Sequence, residues 1–331
     1  MKALVTGGGG FLGTELCRQL LNGGHTVHSF SRSHHPHLGQ LGVTDHRGDL
    51  NDRDALMKAA EGCDTVFHVA AKAGIWGSRD SFYAANVVGT QNVLHVCRQL
   101  GVQRLVHTSS PSVCFDGDDH VDASNDLPHA KTFLAPYPAT KAEAERLVLS
   151  HNSDSLATCA LRPHLIFGPG DPHLVPRLVA TARAGRLARI GDGTNLVTLC
   201  YVENAAHAHV LAAQRLEPNA RHAGQAYFIG QEQAVSLWQW IDELLAGLDI
   251  PAINKKYSQD SAYRIGAVCE WLWRLLPLRG EPPMTRFVAT QLATSHSYSM
   301  APARQAFGYG EIVDQDEATR NTLQWLRNRP R

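Results

Sequence analysis

Ala3-Leu4-Val5-Thr6-Gly7-Gly8-Gly9-Gly10-Phe11-Leu12-Gly13 runs from a short apolar segment, through four glycines, into the start of a helical period. Gly7, Gly10 and Gly13 give the spacing G-x-x-G-x-x-G, with Phe11 and Leu12 inside the same turn. Without side chains at a strand-to-helix turn, backbone N–H groups can approach a pyrophosphate at the positive end of the helix. The alternative is a glycine-rich loop with no role, and the strand before and helix after argue against it.

Working outward, Thr26-Val27-His28-Ser29-Phe30 reads as a second strand ending at Ser31-Arg32-Ser33. An NAD-specific fold usually places a carboxylate there for the ribose 2′-hydroxyl. This chain has Arg32 instead, suited to charge-assisted bonds with a 2′-phosphate, so NADP is expected over NAD. His34, His35 and His37 lack a partner cluster at ligand spacing and read as loop histidines, with no metal site. Gly48-Asp49-Leu50 closes a third strand; Asp49 either accepts from the adenine amino group or caps the helix near residues 52–61. A fourth buried strand, Val66 to Ala71, ends in small residues, Ala70 and Ala71, that let a cofactor lie against the backbone. Phe82 to Leu100 reads as one amphipathic helix containing Asn86, and Arg104 to Thr108 as a fifth strand. Strands alternating with helices predict an α/β fold with a Rossmann-like, doubly wound parallel sheet.

The 331 residues suffice for that domain and a smaller, mostly helical C-terminal lobe. Lys plus Arg and Asp plus Glu each total 31, so no global field attracts nucleic acid or an anionic membrane. Seven cysteines without a Cys-x-x-Cys pair read as reduced core thiols of a cytoplasmic protein. No run reaches the roughly 20 apolar residues of a membrane span, and at most peripheral membrane contact is expected.

His107-Thr108-Ser109-Ser110 and Tyr137-Pro138-Ala139-Thr140-Lys141 offer a hydroxyl, a phenol and an ammonium for moving one proton. Tyr137 and Lys141 share a helix face. A nearby ammonium is expected to favour phenolate and pull the tyrosine down from its usual value of about 10.

These stretches, with Asn86 in Asn-Val-Val-Gly-Thr and Leu161-Arg162-Pro163-His164-Leu165-Ile166-Phe167-Gly168-Pro169-Gly170, resemble the extended short-chain dehydrogenase/reductases over essentially the whole chain. The resemblance implies that Tyr137 exchanges a proton with the substrate oxygen and that Lys141 binds the nicotinamide ribose. Ser110 hydrogen-bonds the reacting carbonyl, with Ser109 as the neighbouring choice. It also adds Leu50, Asn86 and Pro163 to the cofactor contacts. Residues 1–163 are expected to form the NADP-binding domain, with returning segments near 199–211 and 226–229, and 164–331 the substrate lobe. His164 and Arg177 sit where the family often lines its substrate pocket; a structural hydrogen bond or a surface charge is the other reading. Lys72, just past the fourth strand, holds either a substrate carboxylate or the cofactor.

Ser261 to Pro277 is nearly all apolar apart from Arg264, Glu270 and Arg274, which fall within about one third of a helical circumference. Its wide apolar face implies a core helix, a lid over a lipophilic substrate, a subunit contact, or a membrane-surface helix. With Ala71-Lys72-Ala73-Gly74-Ile75-Trp76-Gly77 and Tyr298-Ser299-Met300 it narrows the resemblance to the 3β-hydroxysteroid dehydrogenase branch. Within that branch it is similar to the bacterial reductases of long-chain β-keto acids in olefin and β-lactone biosynthesis. The implied activity is NADPH-dependent reduction of a β-keto acid bearing two long alkyl chains. The implied partners are a second copy of the chain and the pathway's ligase and decarboxylase. The alternatives are a 3β-hydroxysteroid or sterol dehydrogenase, a sugar-nucleotide epimerase or dehydratase, and a non-catalytic NADP sensor.

Overall fold

The computed structural model describes residues 1–276, 278 and 280–328. Strands β1 (Lys2–Thr6), β2 (Thr26–Ser31), β3 (Thr44–Arg47), β4 (Thr65–His68) and β5 (Arg104–Thr108) alternate with helices. These are α1 (Phe11–Asn22), α2 (Pro36–Leu41), α3 (Arg53–Ala60), α4 (Arg79–Tyr83) and α5 (Gly89–Leu100). Next come β6 (His120–Ala123), α6 (Pro136–Ser150) and β7 (Ala157–Pro163). The main sheet is parallel throughout, in the order 226–229, β7, β5, β4, β1, β2, β3. The order of strand addition reverses between β1 and β4, so a crevice opens at their carboxyl ends, where doubly wound folds bind ligands. All seven residues of β7 are buried, as expected of a strand covered on both faces.

Two local readings change. Asp52, not Asp49, caps α3 by accepting from Ala55 N at 3.0 Å, while Asp49 accepts from Asn51 N at 2.9 Å. The helix expected from Phe82 begins at Arg79, behind the Ser78 cap, and passes through a wide π-turn over Ala84–Val88. That turn holds the buried Asn86, and such turns recur at functional sites.

Beyond β7 the chain builds a second layer with α7 (Leu174–Arg183), α8 (Val202–Gln214), α9 (Leu237–Ala246), α10 (Gln259–Leu275) and α11 (Arg286–Ala293). A four-stranded sheet orders 235–236, 196–197, 296–298 and β6 side by side. The core of this part gathers Phe167, Tyr201, Trp238 and Trp240. The strand Ala226–Ile229 returns to the edge of the main sheet, and α8 packs on α1, with Gln19 Nε2 donating to Glu203 O at 2.9 Å.

In α10 the buried positions are Ala262, Gly266 and Glu270, and the outward ones include Val268 at 57%, Trp271 at 59% and Leu275 at 61% exposure. The carboxylate thus turns in and the apolar stripe out. Gly266 allows this, because a Cβ there would lie 2.6 Å from the Thr285 carbonyl carbon of the segment entering α11. Pro277, the last position of the sequence-based helix, lies outside the described residues.

Candidate active site

The crevice between β1 and β4 is a cleft of about 540 Å3. Its floor is the glycine turn. Gly7 has φ +72, and a Cβ there would lie 2.9 Å from the Ala70 backbone, so only glycine lets the two strand ends approach. A Cβ on Gly13 would lie 2.1 Å from Gly7 O, which fixes the close seat of α1 on the turn. A Cβ on Gly10 would lie 3.2 Å from Gly7 O, a tight approach that glycine avoids. Bare backbone at the mouth of a 12-residue helix fits the pyrophosphate of a dinucleotide.

The structure brings most of the sequence-based cofactor set to this cleft. Gly7, Gly10, Phe11, Leu12 and Gly13 line it below, and Arg32, Asp49 and Leu50 line it from the side of β2 and β3. Ala70, Ala71 and Lys72 follow β4, and Tyr137 and Lys141 reach in from α6. Asn86 and Pro163 stand behind the wall. Asn86 Oδ1 accepts from Lys72 N at 2.7 Å and its Nδ2 donates to Thr140 Oγ1 at 3.0 Å, so it ties the loop after β4 to the turn of α6 that carries Lys141. Pro163 is buried at the end of β7, paired with Ile229.

At the reacting end, Ser110 Oγ bonds Ser112 Oγ at 2.9 Å and lies on the side of the Tyr137 phenol. Burial pushes that phenol up from its ordinary value, and Ser110 opposes the rise. The expectation that Lys141 draws the tyrosine down is not met. Its Nζ donates to Thr108 O at 2.5 Å and faces His107 Nε2 at 3.3 Å. Burial lowers Lys141 from 10.5 to about 8, against a smaller opposing pull from Glu145. Ser109, the alternative to Ser110, lines the cleft together with Thr108, whereas Ser110 is not part of that lining.

The three substrate candidates are engaged by the protein. Lys72 Nζ donates to Ser81 Oγ at 2.7 Å and lies 4.9 Å from the Phe82 ring centre. His164 is buried with Nδ1 on Thr198 O at 2.6 Å, and burial, then His296, holds it well below its ordinary value. Arg177, on α7, pairs with Glu281 at 2.7 Å.

Sequence reading missed a histidine chain beneath the site. Thr6 Oγ1 bonds His68 Nδ1 at 2.9 Å, His68 Nε2 bonds Thr90 Oγ1 at 2.9 Å, and Thr90 donates to Asn86 O at 2.6 Å. The His68 and His107 rings are 5.2 Å apart. Thr108 Oγ1 bonds His209 Nε2 at 2.8 Å, leaving its Nδ1 for Ala205 O. These partners are up to 101 residues apart, and no local spacing signals them. Also missed was a second cavity of about 310 Å3, between residues 75–78, the segment leading into α6, and the end of α10.

A family model described as the 3-beta hydroxysteroid dehydrogenase/isomerase family matches residues 4–257. A 2-alkyl-3-oxoalkanoate reductase of Stenotrophomonas maltophilia is 53% identical over 97% of this chain and 98% of its own length. A sterol-4-alpha-carboxylate 3-dehydrogenase, decarboxylating, of Mus musculus is 37% identical over 98% of this chain and 90% of its own. Among solved structures, MoeE5 in complex with UDP-glucuronic acid and NAD superposes with a TM-score of 0.75 at 26% identity, covering 99% of both chains. With a dinucleotide cradle and these relatives, the chain belongs to the 3-beta hydroxysteroid dehydrogenase/isomerase family of extended short-chain dehydrogenase/reductases and is an NAD(P)-dependent oxidoreductase.

Proposed function

We propose that this protein reduces a long-chain 2-alkyl-3-oxo acid to the 2-alkyl-3-hydroxy acid, using NADPH, within olefin and β-lactone biosynthesis. The observation that carries the reading is the 53% identity to a 2-alkyl-3-oxoalkanoate reductase over 98% of that protein's length. When bound, the reduced nicotinamide supplies a hydride to the ketone carbon. Ser110 and the Tyr137 hydroxyl then bind the ketone oxygen. Tyr137 gives it the proton that completes the alcohol, and Lys141 holds its charge beside the resulting phenolate.

Arg32 supports NADPH over NADH. It lines the cleft at the end of β2, its carbonyl accepts from Arg47 Nε at 3.2 Å, and neither Ser31 nor Ser33 brings a negative charge. The double variant S31D/R32A is expected to prefer NADH, since it adds repulsion as well as removing attraction. Similar kcat/KM for both cofactors in the parent would overturn the NADPH assignment.

The rival substrate is a sterol bearing a 4-carboxylate, as the name of the mouse relative states for that protein. Both relatives' names place a carboxylate on the carbon next to the reacting C–O centre. NADPH oxidation against 2-alkyl-3-oxo acids, 3-ketosteroids and UDP-sugars tests the assignment. Turnover confined to the first class is expected; preference for either of the others would replace it.

A further inference from the structure

A carboxylate beside the ketone needs a cation or several donors once it leaves water. Lys72, His164 and Arg177 all have protein partners, as described above. Arg274, near the end of α10, is differently placed. It lines the second cavity together with Trp76, and its guanidinium lies 5.8 Å from the Trp76 ring centre. Its side chain is 64% exposed, and its ion pair with Glu270, at 3.8 Å, is longer than a hydrogen bond.

Glu270 is itself satisfied by another cation. It accepts from Arg286 N at 2.8 Å, from Arg286 Nε at 3.0 Å and from Arg286 Nη2 at 2.8 Å. One carboxylate shared by two guanidinium groups leaves a net positive charge, and the geometry assigns the surplus to Arg274. The remaining wall includes Ile75, Leu134, Pro136 and Phe287, which suits an alkyl chain. Two of its walls continue in the chain into the lining of the cleft: Ile75 follows the cleft-lining Ala73 by two residues, and Pro136 immediately precedes Tyr137.

We propose that Arg274 is the substrate's carboxylate anchor, with one alkyl substituent laid along Trp76, Ile75, Leu134 and Phe287. The inference rests on the β-keto acid reading given above. A planar guanidinium held over an indole is pre-oriented to grip a carboxylate with two parallel bonds. It therefore selects acids over neutral ketones.

The test runs in the stable direction, oxidation by NADP+ of a 2-alkyl-3-hydroxy acid and of its primary amide. In Arg274→Leu, KM for the acid is expected to rise roughly 10- to 100-fold, the loss of a charge-assisted bond. KM for the amide, affinity for NADPH and the melting temperature are expected to stay at parental values. Arg274→Lys is expected to recover part of the loss. An unchanged KM for the acid, or an equal rise for acid and amide, would overturn the anchor while leaving the proposed reaction standing. A parent that oxidises neither compound would remove the substrate reading, and the anchor with it.

Discussion

Tyr137 and Lys141 lie one helical turn apart, and burial moves their proton affinities in opposite directions. Burial holds the phenol protonated, whereas the buried lysine sits near 8, within reach of the working pH. Tyr137→Phe removes the proton but little volume, so kcat is expected to fall by about 10²–10⁴-fold with cofactor affinity kept; steady-state kinetics beside a binding titration checks it. Lys141 yields a pH prediction. As pH rises through about 8 the ammonium is lost, and cofactor affinity is expected to weaken with it. Lys141→Met should bind weakly without that limb. For stability the sign is opposite: the folded value lies below the unfolded 10.5, so between about 8 and 10.5 the unfolded chain binds more protons and this group makes stability rise with pH. At this scale the sequence order Ser110, Tyr137, Lys141 was readable, but not the partners. Lys141 bonds Thr108 O and His107 across about 34 residues, and that geometry exists only once α6 lies on β5.

Helices α2 and α10 each contain a glycine, and packing gives the two opposite consequences. A Cβ on Gly39 in α2 would meet nothing within 4 Å, so Gly39→Ala is expected to stabilise the fold by about 0.5–1 kcal/mol through helix propensity. A Cβ on Gly266 in α10 would press into the backbone at Thr285, so Gly266→Ala is expected to destabilise by about 1–3 kcal/mol despite the same propensity gain. Denaturant melts of both variants check the pair, and equal shifts would contradict the packing of α10 on α11. The wide apolar stripe of α10 was legible as periodicity, but its direction was not. A hydrophobic pattern predicts an inward stripe, yet the buried pairing of Glu270 with Arg286 and the Gly266 contact hold the opposite face inward. Among the described residues no helix is long and apolar enough to cross a membrane.

Across the whole molecule, a buried ion pair joins α6 to the sheet. Glu145 of α6 accepts from Arg162 of β7 at 2.9 and 2.6 Å and from His129 at 2.6 Å. The Arg162 guanidinium also lies 5.0 Å from the Phe228 ring centre, in the edge strand beyond. Burial alone would raise Glu145, but Arg162 and His129 hold it down at about 2. Its folded value is therefore below the unfolded 4.5, and its contribution is full above about 4.5 and lost as pH falls toward 2. Glu145→Gln leaves a buried arginine without its charge partner, so a loss of about 3–5 kcal/mol is expected at neutral pH. Its stability should then change less than the parent's between pH 4.5 and 2, measured by urea melts across that range.

The glycine spacing from Gly7 to Gly13 and the alternation of strands with helices determined the fold class, and the order of motifs along the chain identified the oxidoreductase family. Each motif depends on residues within one or two turns of one another, where backbone sterics and helical period decide the outcome. Only the tertiary structure decided that Asn86 braces Lys72 and Thr140, that Lys72, His164 and Arg177 already have partners, and that Glu270 turns inward between Arg286 and Arg274. Those outcomes follow from which charges and donors satisfy one another across the fold. Long-range pairing of that kind leaves no period or spacing in the chain.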